Sequence, residues 1–319
     1  MTGSPVRPRL LFVAANASID RLYEVDRLAL GSIHRPSRVV ARPGGKGLNA
    51  ARAAAALGAR VTAVGIVGGS AGDWIVERLA EIGVDAKMLR SAGETRTCIS
   101  ILDRSTGTLT ELYERGEEIE PDAWGALEAL VLRELDRGDV GALAFSGSLP
   151  PGAPTDGYAR IARLAGARSV PVLADAYGPA LADVLAGRPA VVKVNATEAG
   201  DAAGVAVVDV ASAVAAAHVL RDRGAVAVVV TLGTAGAVAV SAAGDARLEP
   251  PDVRGSYPVG SGDAFLAGLA TALVGGASLV EAARRGMAAG IANALQPGAG
   301  ELDRATAERL VGLVTVTSV

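Results

Sequence analysis

Six short apolar runs recur along the chain: LLFVAA (10–15), VTAVGIVG (61–68), VGALAFSG (140–147), VPVLADA (170–176), AVVKVN (190–195) and AVAVVVTLG (225–233). Continuous apolar runs of this length suit parallel strands covered on both faces. Between and after them lie stretches with helical spacing: 48–58, 74–83, 122–136, 155–166, 210–224, 263–275 and 279–295. Gly58, Gly83 and Gly224 end three of these where a C′ glycine is expected. Strand–helix alternation of this kind implies an open α/β sheet with helices on both faces.

Two segments break the alternation. Residues 18–42 and 95–115 carry strand-like patterning with no helix between. The second reads as a hairpin, with strands about 97–103 and 108–114 joined by Arg104-Ser105-Thr106-Gly107. Together they are expected to form a small antiparallel sheet that serves as a lid. No linker-like tract, repeat or low-complexity segment divides the chain, so residues 1–319 are expected to be one domain.

Composition narrows the function classes. Of 319 residues, half are hydrophobic but only 3% aromatic, so the core must be built from Val, Leu, Ile and Ala. The formal net charge of −3 comes without a long run of either sign, which argues against a nucleic-acid stripe or a polybasic membrane patch. One cysteine, Cys98, excludes an intrachain disulfide and fits a reducing compartment. Arg7 and Arg9 before LLFVAA, with Ala15-Asn16-Ala17 after it, mimic a secretory signal. The apolar run is too short for one, and no apolar run reaches the length of a membrane span. The expected location is the cytoplasm.

In an open α/β sheet, ligands bind beyond the carboxyl ends of the strands. Polar residues fall at those ends throughout: Asn16 and Asp20, Ser146 and Ser148, Asp175, Lys193 and Asn195, Thr231 and Gly233. Each alone is as readily a helix cap as a ligand group; their number favours a shared crevice. Two glycine clusters add to it. PGGKGLNAARAA (43–54) lets backbone approach a ligand closely and aims a helix N-terminus at it. It is not a P-loop, because Lys46 is followed by Gly47 and the required spacing is absent. SYPVGSGDAFLAG (256–268) leads from Gly260-Ser261-Gly262 into an apolar helix with Asp263 in its first turn. Exposed amides there can hold a phosphate or oxyanion. Asp263 itself is either a capping carboxylate or a base beside that anion site.

Lys193, Asn195 and Glu198 place a cation, an amide and a carboxylate after a strand. The carboxylate suits hydrated Mg²⁺ or merely a solvated helix start. Arg96 stands at the lid edge, where it would grip a phosphate bidentately or decorate an exposed strand. His34 and His218 lack metal-ligand spacing, and Cys98 reads as a packed strand residue. There is no H-E-x-x-H or full G-x-G-x-x-G.

Taken in order, these stretches resemble the ribokinase-like PfkB carbohydrate kinases over almost the whole chain, most nearly the phosphosugar branch. Gly44-Gly45-Lys46-Gly47-Leu48-Asn49 resembles the family's G-G-K-G-x-N. Pro258-Val259-Gly260-Ser261-Gly262-Asp263 resembles its x-x-G-[AS]-G-D. Asn16-Ala17-Ser18-Ile19-Asp20, Gly93-Glu94-Thr95-Arg96, Ser146-Gly147-Ser148-Leu149-Pro150, Asn195-Ala196-Thr197-Glu198 and Thr231-Leu232-Gly233-Thr234-Ala235-Gly236 support it.

The resemblance implies a three-layer α/β/α sandwich with a mainly parallel sheet and a small β lid. It implies ATP-dependent phosphorylation of a hexose monophosphate, with ATP and Mg²⁺. Asp263 would be the general base and Gly260, Ser261 and Gly262 the anion hole. Asp20, Gly44, Gly45 and Asn49 would meet the sugar; Lys46, Arg96 and Ser148 would meet its phosphate. Lys193, Asn195 and Glu198 would handle nucleotide phosphates and Mg²⁺, with Glu198 acting through water. Thr231, Gly233, Gly236 and Asn293 would border ATP, and the lid would pair into a homodimer. The chain departs from the family pattern at Ala17, Val194 and Ser256-Tyr257. Rival readings are a kinase of a neutral sugar or nucleoside, a dehydrogenase, and a non-catalytic sugar sensor. The pairing of Lys46 with Arg96 argues against the first, the missing G-x-G-x-x-G against the second, and Asp263 against the third.

Overall fold

The six apolar runs become six consecutive strands of one ten-stranded sheet. The computed structural model describes residues 7–319, so residues 1–6 of the expected domain lie outside the described part. The chain begins with β1 (Arg9–Ala14), β2 (Ser18–Val25), β3 (Arg38–Gly44), α1 (Lys46–Ala56), β4 (Arg60–Gly68), α2 (Gly69–Glu81), β5 (Asp85–Ser91), β6 (Thr97–Asp103) and β7 (Thr108–Tyr113). It continues through α3 (Ala123–Leu135), β8 (Val140–Ser146), α4 (Gly157–Gly166), β9 (Val172–Asp175), α5 (Gly178–Leu185), β10 (Val191–Asn195), α6 (Ala196–Ala203), α7 (Val210–Asp222) and β11 (Ala227–Thr231). It closes with β12 (Ala237–Ser241), β13 (Gly244–Glu249), α8 (Ser261–Val274), α9 (Leu279–Ala294), α10 (Arg304–Val311) and β14 (Thr315–Ser318).

The sheet order is β14-β13-β12-β11-β10-β9-β8-β1-β4-β5. From β11 to β5 every pair is parallel, and the β12–β14 end is antiparallel. Alternate residues feed two cores, which is why the runs must be continuously apolar. In β1, Leu11 and Val13 join the core under α3–α7, while Leu10, Phe12 and Ala14 join the core under α1, α2, α8 and α9. This is the three-layer α/β/α arrangement. Among the described residues no helix is long and apolar enough to cross a membrane.

The lid strands fall in the two expected segments, with β3 running two residues past the first, in the order β3-β2-β6-β7. Its outer pairs are antiparallel, as expected. Its central pair, β2 with β6, is parallel, so the sheet is mixed rather than wholly antiparallel. The cause is topological: β2 follows β1 and β6 follows β5, so both enter the lid from the same edge of a parallel sheet. The elements that sequence patterning passed over are β5, β12–β14, α5, α6 and α10. β5 is a half-exposed edge strand, β14 is wholly exposed, and the three helices are only eight residues long. These five offer too little apolar periodicity to register.

Candidate active site

After β1 the chain builds outward to β4 and β5, then returns to lay β8 on the other side of β1. That reversal opens a crevice beyond the carboxyl ends of β1 and β8, the usual ligand position in such sheets. A cleft of about 250 Å³ lies there. The main sheet forms its floor, the N-termini of α1 and α8 form one side, and the lid forms a wall through Asp20, Cys98 and Tyr113. Of the residues singled out from sequence, the cleft brings together Asp20, Gly45, Lys46, Asn49, Arg96, Ser148, Gly260 and Asp263.

Gly260 is the N-cap of α8, with φ 82. A side chain there would be strained, and its Cβ would lie 2.5 Å from the Gly300 amide nitrogen. The turn is held by Ser261 N–H donating to the Pro258 carbonyl at 3.1 Å. Beyond it, the amides of Gly262 and Asp263 occupy the first helical turn, where the helix supplies no carbonyl partner. Lys193 adds charge nearby: a Cβ on Gly262 would sit 3.0 Å from its Nζ.

Asp263 is buried, and its carboxylate bonds to side chains rather than to the helix amides a capping residue would take. Asn49 Nδ2 donates to Oδ2 at 3.1 Å, and Ser146 Oγ donates to Oδ1 at 3.4 Å. Burial and the neighbouring Asp175 charge push its pKa up to about 7, while Lys46, Lys193 and the Asn49 amide pull the other way. A carboxylate poised there can exchange a proton near neutral pH.

Asp175 ends β9 and is almost fully buried. Its Oδ2 accepts from Lys193 Nζ at 2.9 Å, and both side chains are at least 94% removed from solvent. The other oxygen, Oδ1, has no partner among the described residues. Lys46 lies at the first position of α1, with Nζ 3.7 Å from Glu198 and 5.6 Å from the centre of the Tyr177 ring. Burial alone would lower its pKa, but Asp175, Asp263 and Glu198 together raise it. Lys46 therefore stays charged at physiological pH.

On the lid side, Asp20 is held by Ser18 Oγ at 2.6 Å, by the Gly45 amide at 3.3 Å and by Asn49 Nδ2 at 3.2 Å. Gly44 has to be glycine for this: its Cβ would fall 2.1 Å from the Asp20 carboxylate. Ser148 accepts from Asn16 Nδ2 at 3.1 Å. Arg96 reaches the cleft, but its terminal nitrogens already donate to the carbonyls of Glu114 at 3.1 Å and Asn16 at 3.2 Å. Burial is the main reason the Cys98 thiol pKa is raised, which fits a packed strand residue.

The remaining sequence candidates do not line this cleft, although Glu198 reaches its edge beside Lys46. Asn195 and Glu198 form a capping box on α6: the Glu198 amide donates to Asn195 Oδ1, and the Asn195 amide donates to Glu198 Oε2. Thr231 is registered beside Asn195 across β10 and β11, and Gly233 follows on an exposed turn. Gly236 closes that turn into β12, and its Cβ would clash with the Leu248 carbonyl at 2.1 Å. Asn293 is fully buried beneath the Gly260–Gly262 turn instead of on an open surface. Its Nδ2 donates to the carbonyls of Tyr257 and Val259 and to Ser261 Oγ. In the sequence Asp175 stands out only as one strand-end residue. Tyr177, two residues later, carries no signal in the sequence and lines the cleft.

A ribokinase-like sheet with a lid over such a cleft defines a class of phosphotransferase enzymes. The sequence matches the pfkB family carbohydrate kinase over residues 9–306, and the chain belongs to that family. It is 32% identical over 297 residues to the tagatose-6-phosphate kinase of Staphylococcus epidermidis, covering 92% of this chain and 94% of that one. It is 35% identical over 280 residues to the 1-phosphofructokinase of Xanthomonas campestris pv. campestris, covering 86% of each. The structure is also similar to phosphofructokinase-2 from Escherichia coli. The complex of that enzyme with fructose-6-phosphate gives a TM-score of 0.85 at 28% identity, over 96% of this chain and 98% of that one. Its tetrameric inhibited form gives 0.86 at 27% identity, with the same coverage.

Proposed function

We propose that this chain transfers the γ-phosphoryl group of ATP to a hydroxyl of a hexose monophosphate: fructose 6-phosphate, fructose 1-phosphate or tagatose 6-phosphate. The observation that carries the reading is Asp263, a buried carboxylate bonded to Asn49 and Ser146, its pKa raised to about 7, in the first turn of α8. In this reading Asp263 takes the proton from the attacking hydroxyl. The Gly260–Gly262 turn and Lys193 hold the transferring group, and Asp20 with Asn49 orients the sugar. Phosphoryl transfer needs alignment and charge neutralisation more than covalent help, and the lid wall limits access of water.

The donor set also suits the nucleotide. Lys46 and Lys193 supply positive charge beside free helix amides. Among the described residues no cluster of three or more His, Cys, Asp or Glu could hold a metal. Mg²⁺ would then arrive on the nucleotide phosphates, with the Glu198 carboxylate reaching it through water, as its reluctance to dehydrate favours. Its chemistry would be neutralisation of phosphate charge. Thr231, Gly233 and Gly236 would border the nucleotide, with Asn293 supporting the turn from below.

A neutral sugar is the competing substrate, favoured by one observation: both terminal nitrogens of Arg96 are engaged by backbone carbonyls. Measuring ADP release from Mg-ATP with the three hexose monophosphates, fructose and ribose separates the two. The phosphosugars are expected to be preferred; preference for a neutral sugar would overturn this reading.

We also infer a homodimer through the lid. Tyr23, Val39, Ile99, Ile101 and Leu112 share the face turned away from the cleft, and Val39 and Leu112 are more than half exposed. A second copy would cover them. Sedimentation of Ile101→Asp tests it: a shift to monomer is expected, and an unchanged mass would contradict the lid interface. The buried free thiol of Cys98 accords with a cytoplasmic location.

A further inference from the structure

Tyr257 is one of the positions where the sequence departs from its family pattern, and the site described above does not use it. Its backbone is part of the anion turn's support. The Tyr257 amide donates to the Ala294 carbonyl at 3.0 Å, and its own carbonyl accepts from Asn293. Its side chain runs the other way, into the lid. There the hydroxyl donates to Glu24 Oε1 at 2.8 Å, across 233 positions of sequence. The Glu24 side chain is only 8% exposed, and its other neighbour is the surface residue Arg38 at 3.6 Å. A buried carboxylate bonded this way is costly to strand.

Glu24 belongs to the same strand as Asp20. Asp20 and Glu24 are four residues apart, so both side chains lie on the cleft-side face of β2, roughly 13 Å from each other. One end of this strand meets the sugar site and the other meets Tyr257. Three residues after Tyr257 comes Gly260, the cap of the anion turn. A strand is stiff along its length, so a displacement of Asp20 on sugar binding would move Glu24 as well.

We propose that Tyr257 is a positioning residue that couples the sugar site to the phosphate-holding turn through Glu24 and strand β2. A seated sugar fixes β2, β2 fixes the Tyr257 hydroxyl, and the hydroxyl fixes the turn before ATP reacts. The coupling is reciprocal: whatever the sugar does for nucleotide affinity, the nucleotide does for sugar affinity. This rests on the phosphosugar-kinase reading of the same site.

The test is a linkage measurement on the full chain. Affinity for a non-hydrolysable ATP analogue with Mg²⁺ is measured by calorimetry, with and without the phosphosugar that is turned over best. The intact protein is expected to show a ratio of ~5-fold or more. Tyr257→Phe, which removes only the hydroxyl, is expected to bring it below about 2-fold. Glu24→Gln keeps an acceptor oxygen and is expected to retain the ratio, whereas Glu24→Ala loses it. A role in stability alone would lower the melting temperature of all three variants and leave the ratio unchanged. An unchanged ratio in Tyr257→Phe, or no ratio in the intact protein, overturns the coupling. Absence of turnover with every phosphosugar would instead overturn the function on which it rests.

Discussion

One Asn49 amide nitrogen bridges two carboxylates: Nδ2 donates to Asp263 at 3.1 Å and to Asp20 at 3.2 Å. The helix that begins at the G-G-K-G turn thereby ties the lid aspartate of β2 to the aspartate of α8. The two carboxylates also differ in setting. Asp20 lies at the cleft wall with three donors, and Asp263 is buried with two. Burial and the neighbouring Asp175 charge raise the pKa of Asp263, which suits it to exchanging a proton.

The acid side of the pH profile follows from this. Asp263 must be ionised to accept a proton, so kcat/KM should fall about tenfold per pH unit below a midpoint near 7. Asp175 helps to raise that midpoint. Asp175→Asn removes the neighbouring negative charge and leaves Lys193 unpaired beside Asp263. Both changes favour the ionised form, so the midpoint should move to lower pH. A midpoint that stays fixed or rises would show that another group controls the profile.

The Lys193–Asp175 pair is buried, and losing one partner strands the other. Lys193→Met should therefore cost ~3–5 kcal/mol of unfolding free energy. The double variant Lys193→Met/Asp175→Asn should cost less than the sum of the singles, because neither charge is left alone. Urea unfolding of all four proteins measures this, and strict additivity would mean that the ion pair is not the relevant unit.

Arg96 reaches the cleft while anchored to two carbonyls, which fixes its guanidinium in place. If its remaining N–H groups meet the substrate's phosphate, Arg96→Ala should raise KM for a phosphosugar by ~10-fold or more and change KM for ATP by less than about threefold. Steady-state kinetics with each substrate varied in turn decides it. Equal effects on both would assign Arg96 to holding the Asn16 and Glu114 loops.

Much of this arrangement was legible in the sequence. β1, β4, β8, β9, β10 and β11 declared themselves because each feeds two cores and so must be apolar throughout. The two lid segments were visible as the places where alternation lacked a helix. Edge elements escaped for the opposite reason: β5 and β14 face solvent and carry no such pattern. At the site, small spacing motifs located Gly45, Lys46, Asn49, Gly260 and Asp263, because their geometry is set by local turns. Contacts between distant segments had no such signal. Nothing near Asp175 foretold its bond to Lys193, and nothing near Tyr257 foretold Glu24. Asn293 was expected beside ATP, but in a helix end spacing does not reveal which face is buried. The local sequence left Asp263 open between cap and base; the Asn49 and Ser146 bonds show that its carboxylate does not cap the helix.

The central claim is that Asp263 takes the proton from the substrate hydroxyl. Asp263→Asn keeps the size of the side chain and an acceptor for Asn49, but removes the base. Turnover of the preferred phosphosugar should fall by ~10²–10⁴-fold or more while Mg-ATP binding, measured by calorimetry, stays close to that of the intact protein. Turnover within a few-fold of the intact protein would contradict the account.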